Sequence, residues 1–144
     1  MNDVHYAGFW RRWVALFIDQ ILIQIVSSIV LTVALWTNGT SRSQVSGDTL
    51  QVLGGLAFMV VAFPYFVICH QQWGRTPGKR FLGVQVRNAT TLGPITWGQS
   101  IGRTFAQVLS WVLLLVGYLM AAFDPKKRAL HDRLAGTVCI RIPS

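Results

Sequence analysis

Carboxylates are the residues best placed to do chemistry in this chain, and all five of its acids are aspartates: Asp3, Asp19, Asp48, Asp124 and Asp132. Asp19 stands apart because it lies inside the apolar run 13–36, bounded by Trp13 and Trp36. At ~1.5 Å per residue that run is long enough to cross a hydrocarbon core of roughly 30 Å. A carboxylate at such a depth costs about 2.5–3.5 kcal/mol on insertion scales, so something must offset it. Two readings follow. Asp19 is a hydrogen-bonded or ion-paired group that fixes helix packing, or it is a site that binds a proton or small cation. Arg12 precedes Asp19 by seven residues, and at about 100° per residue the two share a helix face to within ~20°. They are two turns apart, ~10 Å along the axis, so each needs another partner. Gln20 and Ser27 fall near the same face. This polar stripe is expected to face protein rather than lipid.

A second polar stripe follows Thr96, where Gln99, Arg103, Gln107 and Ser110 recur at helical spacing. Gln20, Ser27, Arg103 and Gln107 together form a candidate polar interior, although Arg103 also suits an anchor that snorkels to lipid headgroups. The segment GRTPGKR, 74–80, resembles a phosphate loop only superficially. It has three residues rather than four between its glycines, and Arg80 rather than Ser or Thr follows Lys79. A tight turn centred on Pro77-Gly78 accounts for it better, with Arg75, Lys79 and Arg80 touching anionic lipid. His5, His70 and His131 are too dispersed for a metal site. Cys69 and Cys139 have no ligand or redox spacing and read as small apolar fillers. No nucleophile arrangement has a recognisable signature. The expectation is therefore a protein that is not an enzyme and carries no metal or cofactor.

Composition sets the elements that must position these groups. The chain has 144 residues, 52% hydrophobic and only 12% charged, about half the charge of a soluble domain. One domain is expected over 1–144, with spans at about 13–35 and 50–69 and a further membrane-embedded segment at about 97–123. Gly54 and Gly55 suggest close helix approach in the second span. Two short alternating runs, 82–87 and 137–142, read as strands that must pair with each other. The fold class is thus all-α membrane protein: a helical bundle of two or three transmembrane helices with a small cytoplasmic two-stranded β element. The net charge of +8 is carried by residues flanking apolar runs, which points to a bilayer with anionic lipids and not to nucleic acid. Two basic residues precede the first span and Arg42 alone sits in the first loop. Five basic residues fall in 75–103 and five in the tail. The positive-inside rule places the N-terminus in the cytoplasm. A dip and return of 97–123 would place the C-terminus there too, whereas a plain third crossing would not.

The blocks YAGFWRRWVALFIDQILI, GRTPGKRFLGVQV and RALHDRLAGTVCIRI, with the Arg103 helix between the last two, resemble the RDD family of small bacterial membrane proteins, named for one arginine and two aspartates. The resemblance implies that Arg12 is the family arginine, Asp19 the aspartate of the first helix and Asp132 the second aspartate. An Asp132 that reaches Arg12 at the cytoplasmic interface follows from that match. The resemblance also implies a multi-pass protein of the bacterial inner membrane and transport of an unidentified ligand, with cation/proton exchange proposed for some members. A transporter built from segments this few and short would need a homo-oligomer. The alternative is a non-catalytic membrane scaffold or accessory subunit whose charges only fix helix packing.

Overall fold

Runs rich in Leu, Ile, Val, Phe and Ala wind into two long helices, the second of which carries Pro64 inside it. The computed structural model describes residues 5–112 and 123–142. Helix α1 is Phe9–Thr37 and helix α2 is Gly47–Trp73, 29 and 27 residues long, or about 43 and 40 Å at ~1.5 Å per residue. Both are long and apolar enough to cross a membrane. They are joined by a turn holding a short 3-10 helix, Arg42–Gln44. Ser46 caps α2 by accepting from Thr49 N, and Asp48 sits in the first turn where the helix dipole favours an anion. At the other end α2 stops at Gly74, whose φ of +63° is the left-handed stop that glycine supplies. Any Cβ there would stand 2.9 Å from the Val86 carbonyl oxygen.

Helix α3, Pro77–Phe81, follows at once. Proline suits the first helical position, and Thr76 caps the helix by accepting from Lys79 N. Strand β1, Val84–Asn88, then pairs antiparallel with strand β2, Thr137–Arg141, in a register that sets Val86 opposite Cys139. The segment before α1 joins β2 as well: Ala7 N donates to Cys139 O at 2.9 Å and Arg141 N to His5 O at 2.7 Å. Between the strands lie helix α4, Trp97–Val112, and helix α5, Leu130–Leu134. Thr96 and Gln99 cap α4 reciprocally, each backbone N–H donating to the other's side chain. A small core of Ala7, Val84, Val86, Ile95 and Cys139 lies beneath the sheet, and Leu16, Ile23, Ala62 and Phe66 pack α1 on α2.

The protein is mostly helical, with two long apolar helices and one small antiparallel sheet. Its helices are inside-out by the standards of a water-soluble core. On α1 the buried face carries Arg12, Asp19 and Ser27, while Phe17, Ile21, Ile25, Ile29 and Val33 point outward. Helix α4 runs back along α2, with Ser100 donating to Val67 O and Phe105 on Phe63. After residues 113–122, which lie outside the described residues, the chain is again at the start of α1, where Arg12 donates to Lys127 O at 2.6 Å. Both ends of the third apolar segment therefore sit at the sheet end of the molecule.

Three expectations need correction. Strand β1 opens at Val84 and not at 82, because the Thr76 cap and Pro77 start a helical turn that runs to Phe81 and ends at Leu82. For the same reason Pro77-Gly78 is not the centre of a tight turn. Gly54 and Gly55 make no close approach among the described residues, where a Cβ at either would meet nothing within 4 Å. The close approach occurs at Gly78, where a Cβ would fall 2.2 Å from Ala15 O and 2.9 Å from Asp19 Oδ1. Gly78→Ala is therefore expected to destabilise the protein by about 1–3 kcal/mol or more. Gly54→Ala should be neutral or slightly stabilising. Thermal unfolding in detergent compares the two, and equal midpoints would remove the constraint assigned to Gly78.

Candidate functional site

The sheet end of the helices holds two fully buried carboxylates, Asp19 and Asp132, each held by a different set of groups. Asp19 is fully buried on α1. Its Oδ1 accepts from the Tyr65 hydroxyl at 2.8 Å and from Gly78 N at 2.9 Å, and its Oδ2 accepts from the Thr76 hydroxyl. The donors come from α2 and from the start of α3, and all are neutral. Asp19 thus ties the end of the first helix to the turn that follows the second. Gly78 takes part because its bare Cα lets the backbone reach the carboxylate. Arg12 is not among these partners.

Arg12 turns instead to Asp132. Asp132 is fully buried on α5. Its Oδ2 accepts from Arg12 and from Ala129 N, and its Oδ1 accepts from Arg103. Arg12 also donates to Lys127 O, and Arg103 donates to the Thr137 hydroxyl at 2.8 Å and lies 3.6 Å from Cys139 Sγ. Burial by itself would raise the Asp132 pKa, but Arg103 and Arg12 hold it well below the usual carboxylate range. Burial and the same two arginines drive His131, 3.7 Å from the carboxylate, well below the ordinary histidine value, so its ring is neutral. The expectation that Arg103 serves as a headgroup anchor is overturned: it is 1% exposed and bound to Asp132. Arg133, adjacent to Asp132 in sequence, pairs with Asp124 at 2.9 Å.

A third buried cation lies nearby. Lys79 was expected to meet lipid, yet it is 2% exposed because α3 packs its inner side against α1. Its Nζ stands 2.6 Å from His70 Nε2. Burial first, then Arg103, lowers its pKa to about 8. His70 Nδ1 has no partner among the described residues. Ser27 donates to Ile23 O, a contact within its own helix. Gln20 and Gln107 line an open, mostly apolar cavity of about 580 Å³ between α2 and α4, with Phe58, Phe63 and Phe105. Of the residues expected from sequence, the structure gathers Arg12, Arg103 and Asp132 into one cluster. It places Asp19 in a second and sets Gln20 and Gln107 on the cavity wall. Among the described residues, no three His, Cys, Asp or Glu side chains converge as metal ligands.

The sequence model of the RDD family matches residues 6–136, an interval that contains both carboxylates and every group that holds them. The chain belongs to the RDD family. This RDD protein is 34% identical to Uncharacterized protein YxaI of Bacillus subtilis over 144 aligned positions, covering 91% of this chain and 94% of that protein. It is 30% identical to Proline-rich antigen homolog of Mycobacterium tuberculosis, covering 90% of this chain but 53% of that protein. Uncharacterized membrane protein YteJ of Bacillus subtilis is 24% identical, with 94% of this chain and 80% of that protein covered. No solved structure matches.

Sequence reasoning missed Tyr65, Thr76, Gly78, Lys79 and His70. Pro77 after a capping threonine was the available sign of a helix start at Thr76, but nothing local placed that start on Asp19. Asp132→Ala should cost about 3–5 kcal/mol, because it leaves two buried guanidiniums without their anion. Chemical denaturation in detergent measures this, and a loss under about 1 kcal/mol would mean the cluster is not closed to water. Asp124 gives a pH prediction. The Arg128 side chain, then its backbone N–H and Arg133, lower the Asp124 pKa from 3.8 to about 2. A depressed carboxylate stabilises the fold above its unfolded pKa, and that contribution is lost as pH falls from about 4 to about 2. Asp124→Asn should flatten this part of the acid-unfolding profile, and an unchanged profile would count against the pairing.

Proposed function

We propose that this RDD protein is a multi-pass inner-membrane scaffold or accessory subunit whose buried charges lock the cytoplasmic ends of its helices. The carrying observation is the closure of Asp19: both oxygens are engaged by Tyr65, Thr76 and Gly78, and none of its surface is exposed. A carrier carboxylate must gain and lose its ligand. Withdrawing Asp19 from these donors would strand three buried groups at about 1–3 kcal/mol each. The outward apolar face of α1 and the kinship with a relative named as a membrane protein support placement in a bilayer. The basic residues support the orientation. Arg11, Arg75, Arg80, Lys126 and Lys127 gather at the sheet end, against Arg42 at the opposite turn, so the N-terminus, the sheet and the C-terminus are read as cytoplasmic.

A second reading, transport of a proton or small cation, draws on the cavity beside Gln20 and Gln107, a polar-edged space along the helices' apolar length. On this reading a homo-oligomer would complete the pathway. Asp19→Asn separates the two. As a scaffold residue, Asp19 cannot lose an acceptor oxygen without cost, so Asp19→Asn should lower stability by about 1–3 kcal/mol. Asp19→Ala should lower it further and deplete the protein from membranes. Wild-type protein in proteoliposomes should dissipate neither a pH gradient nor a sodium gradient. A normally folded Asp19→Asn variant that abolishes a wild-type cation flux would establish transport instead.

A further inference from the structure

We propose that the pocket between the end of α2 and helix α3 binds the phosphate headgroup of a single anionic phospholipid. This rests on the membrane placement given above and assigns a defined lipid partner to it. The pocket measures about 430 Å³ and is lined by Trp73, Arg75, Arg80 and Phe81, among others. Its two arginines differ from four of the other eight in the chain. Arg12, Arg103, Arg128 and Arg133 are each paired to an aspartate. The side chains of Arg75 and Arg80 have no hydrogen bond or ion pair among the described residues. Among the described residues no acid is left for them: Asp19 and Asp132 are closed by their own partners, Asp124 is shared by Arg128 and Arg133, and Asp48 stands at the start of α2, a helix length away. The pair is thus open to an external anion.

The setting specifies what kind of anion arrives. The pocket opens where a bilayer-length helix ends. Trp73 and Phe81 are 59% and 81% exposed, as aromatic side chains are at the level of lipid headgroups. Guanidinium forks match phosphate oxygens in pairs, while the aromatic walls accept the glycerol and the first methylenes of the acyl chains. The backbone that carries Arg80 is fixed, because the Thr76 and Gly78 bonds to Asp19 hold α3 in place. Lys79, which the sequence places alongside these two arginines, takes no part because it is buried against His70.

Native mass spectrometry of the detergent-solubilised full chain tests this, with phosphatidylglycerol and phosphatidylcholine as the probes. Wild type should retain one phosphatidylglycerol in preference to phosphatidylcholine. The double variant Arg75→Gln/Arg80→Gln should bind it about thirtyfold more weakly, at about 1 kcal/mol per arginine and about 1.4 kcal/mol per tenfold. Arg42→Gln, at the opposite turn, should bind as wild type does. Arg75→Lys/Arg80→Lys, which keeps the charge but not the fork, should fall between, and it decides the matter if the glutamine variant fails to fold. Undiminished phosphatidylglycerol binding by the double variants, or an equal loss in Arg42→Gln, would overturn the proposal. So would soluble glycerol phosphate that displaces the lipid at matching concentration, since the site would then read a free phosphate ester. Thermal midpoints of the arginine variants should equal wild type, whereas the scaffold reading stands or falls on the Asp19 variants, so the two fail separately.

Discussion

A carboxylate shut away from water must be surrounded by donors, and Asp132 meets that requirement by drawing three distant parts of the chain to one point. Arg12 comes from the first helix, Arg103 from the fourth, and the carboxylate from the five-residue helix near the C-terminus. None of the three is tolerable alone at this burial, because an unpaired buried ion costs several kcal/mol. Arg12 also donates to Lys127 O and Arg103 to the Thr137 hydroxyl, so the same groups anchor the last strand. The ion cluster is thus also the joint between the helices and the sheet.

Asp19 meets the same constraint in a different way. Its three donors are neutral, and they come from one side, the end of α2 and the start of α3. The result is a link between successive helices rather than across the chain. It brings the backbone at Gly78 into contact with α1 and turns Lys79 inward, where burial and Arg103 lower its pKa to about 8. Asp19 and Asp132 therefore divide the work: Asp19 closes α1 onto the α2–α3 corner, and Asp132 closes α1 onto α4 and the tail. The apolar outer faces of α1 and α2 contribute little to either joint, as expected where lipid tails are as apolar as leucine and helix association cannot rest on the hydrophobic effect.

Much of this was legible in residue order. The two long helices follow from runs rich in apolar residues, the α4 start from Thr96 and its partner Gln99, and the strand pairing from two lone alternating segments with no other possible mate. The burial of Asp19 and the shared face with Arg12 follow from helical spacing. What spacing cannot carry is which donor reaches which oxygen. Arg103 had the character of a headgroup anchor because it lies in a polar stripe, and Lys79 that of a surface cation because it lies between two arginines in a polar, basic stretch. Gly54 and Gly55 looked like packing positions, yet the glycine that matters for packing is Gly78, in a segment with no helix period to reveal it.

The sequence by itself determined that this chain has bilayer-length helices, an inward polar stripe on the first of them, and paired short strands at one end, since these depend on local composition and period. The family match already implied that Arg12 meets Asp132; only the tertiary structure decided that Tyr65, Thr76 and Gly78 close Asp19, that Lys79 is interior, and that both ends of the third apolar segment lie at the sheet end. Those outcomes depend on distances between residues far apart in the chain, and no local rule of propensity or spacing encodes such distances.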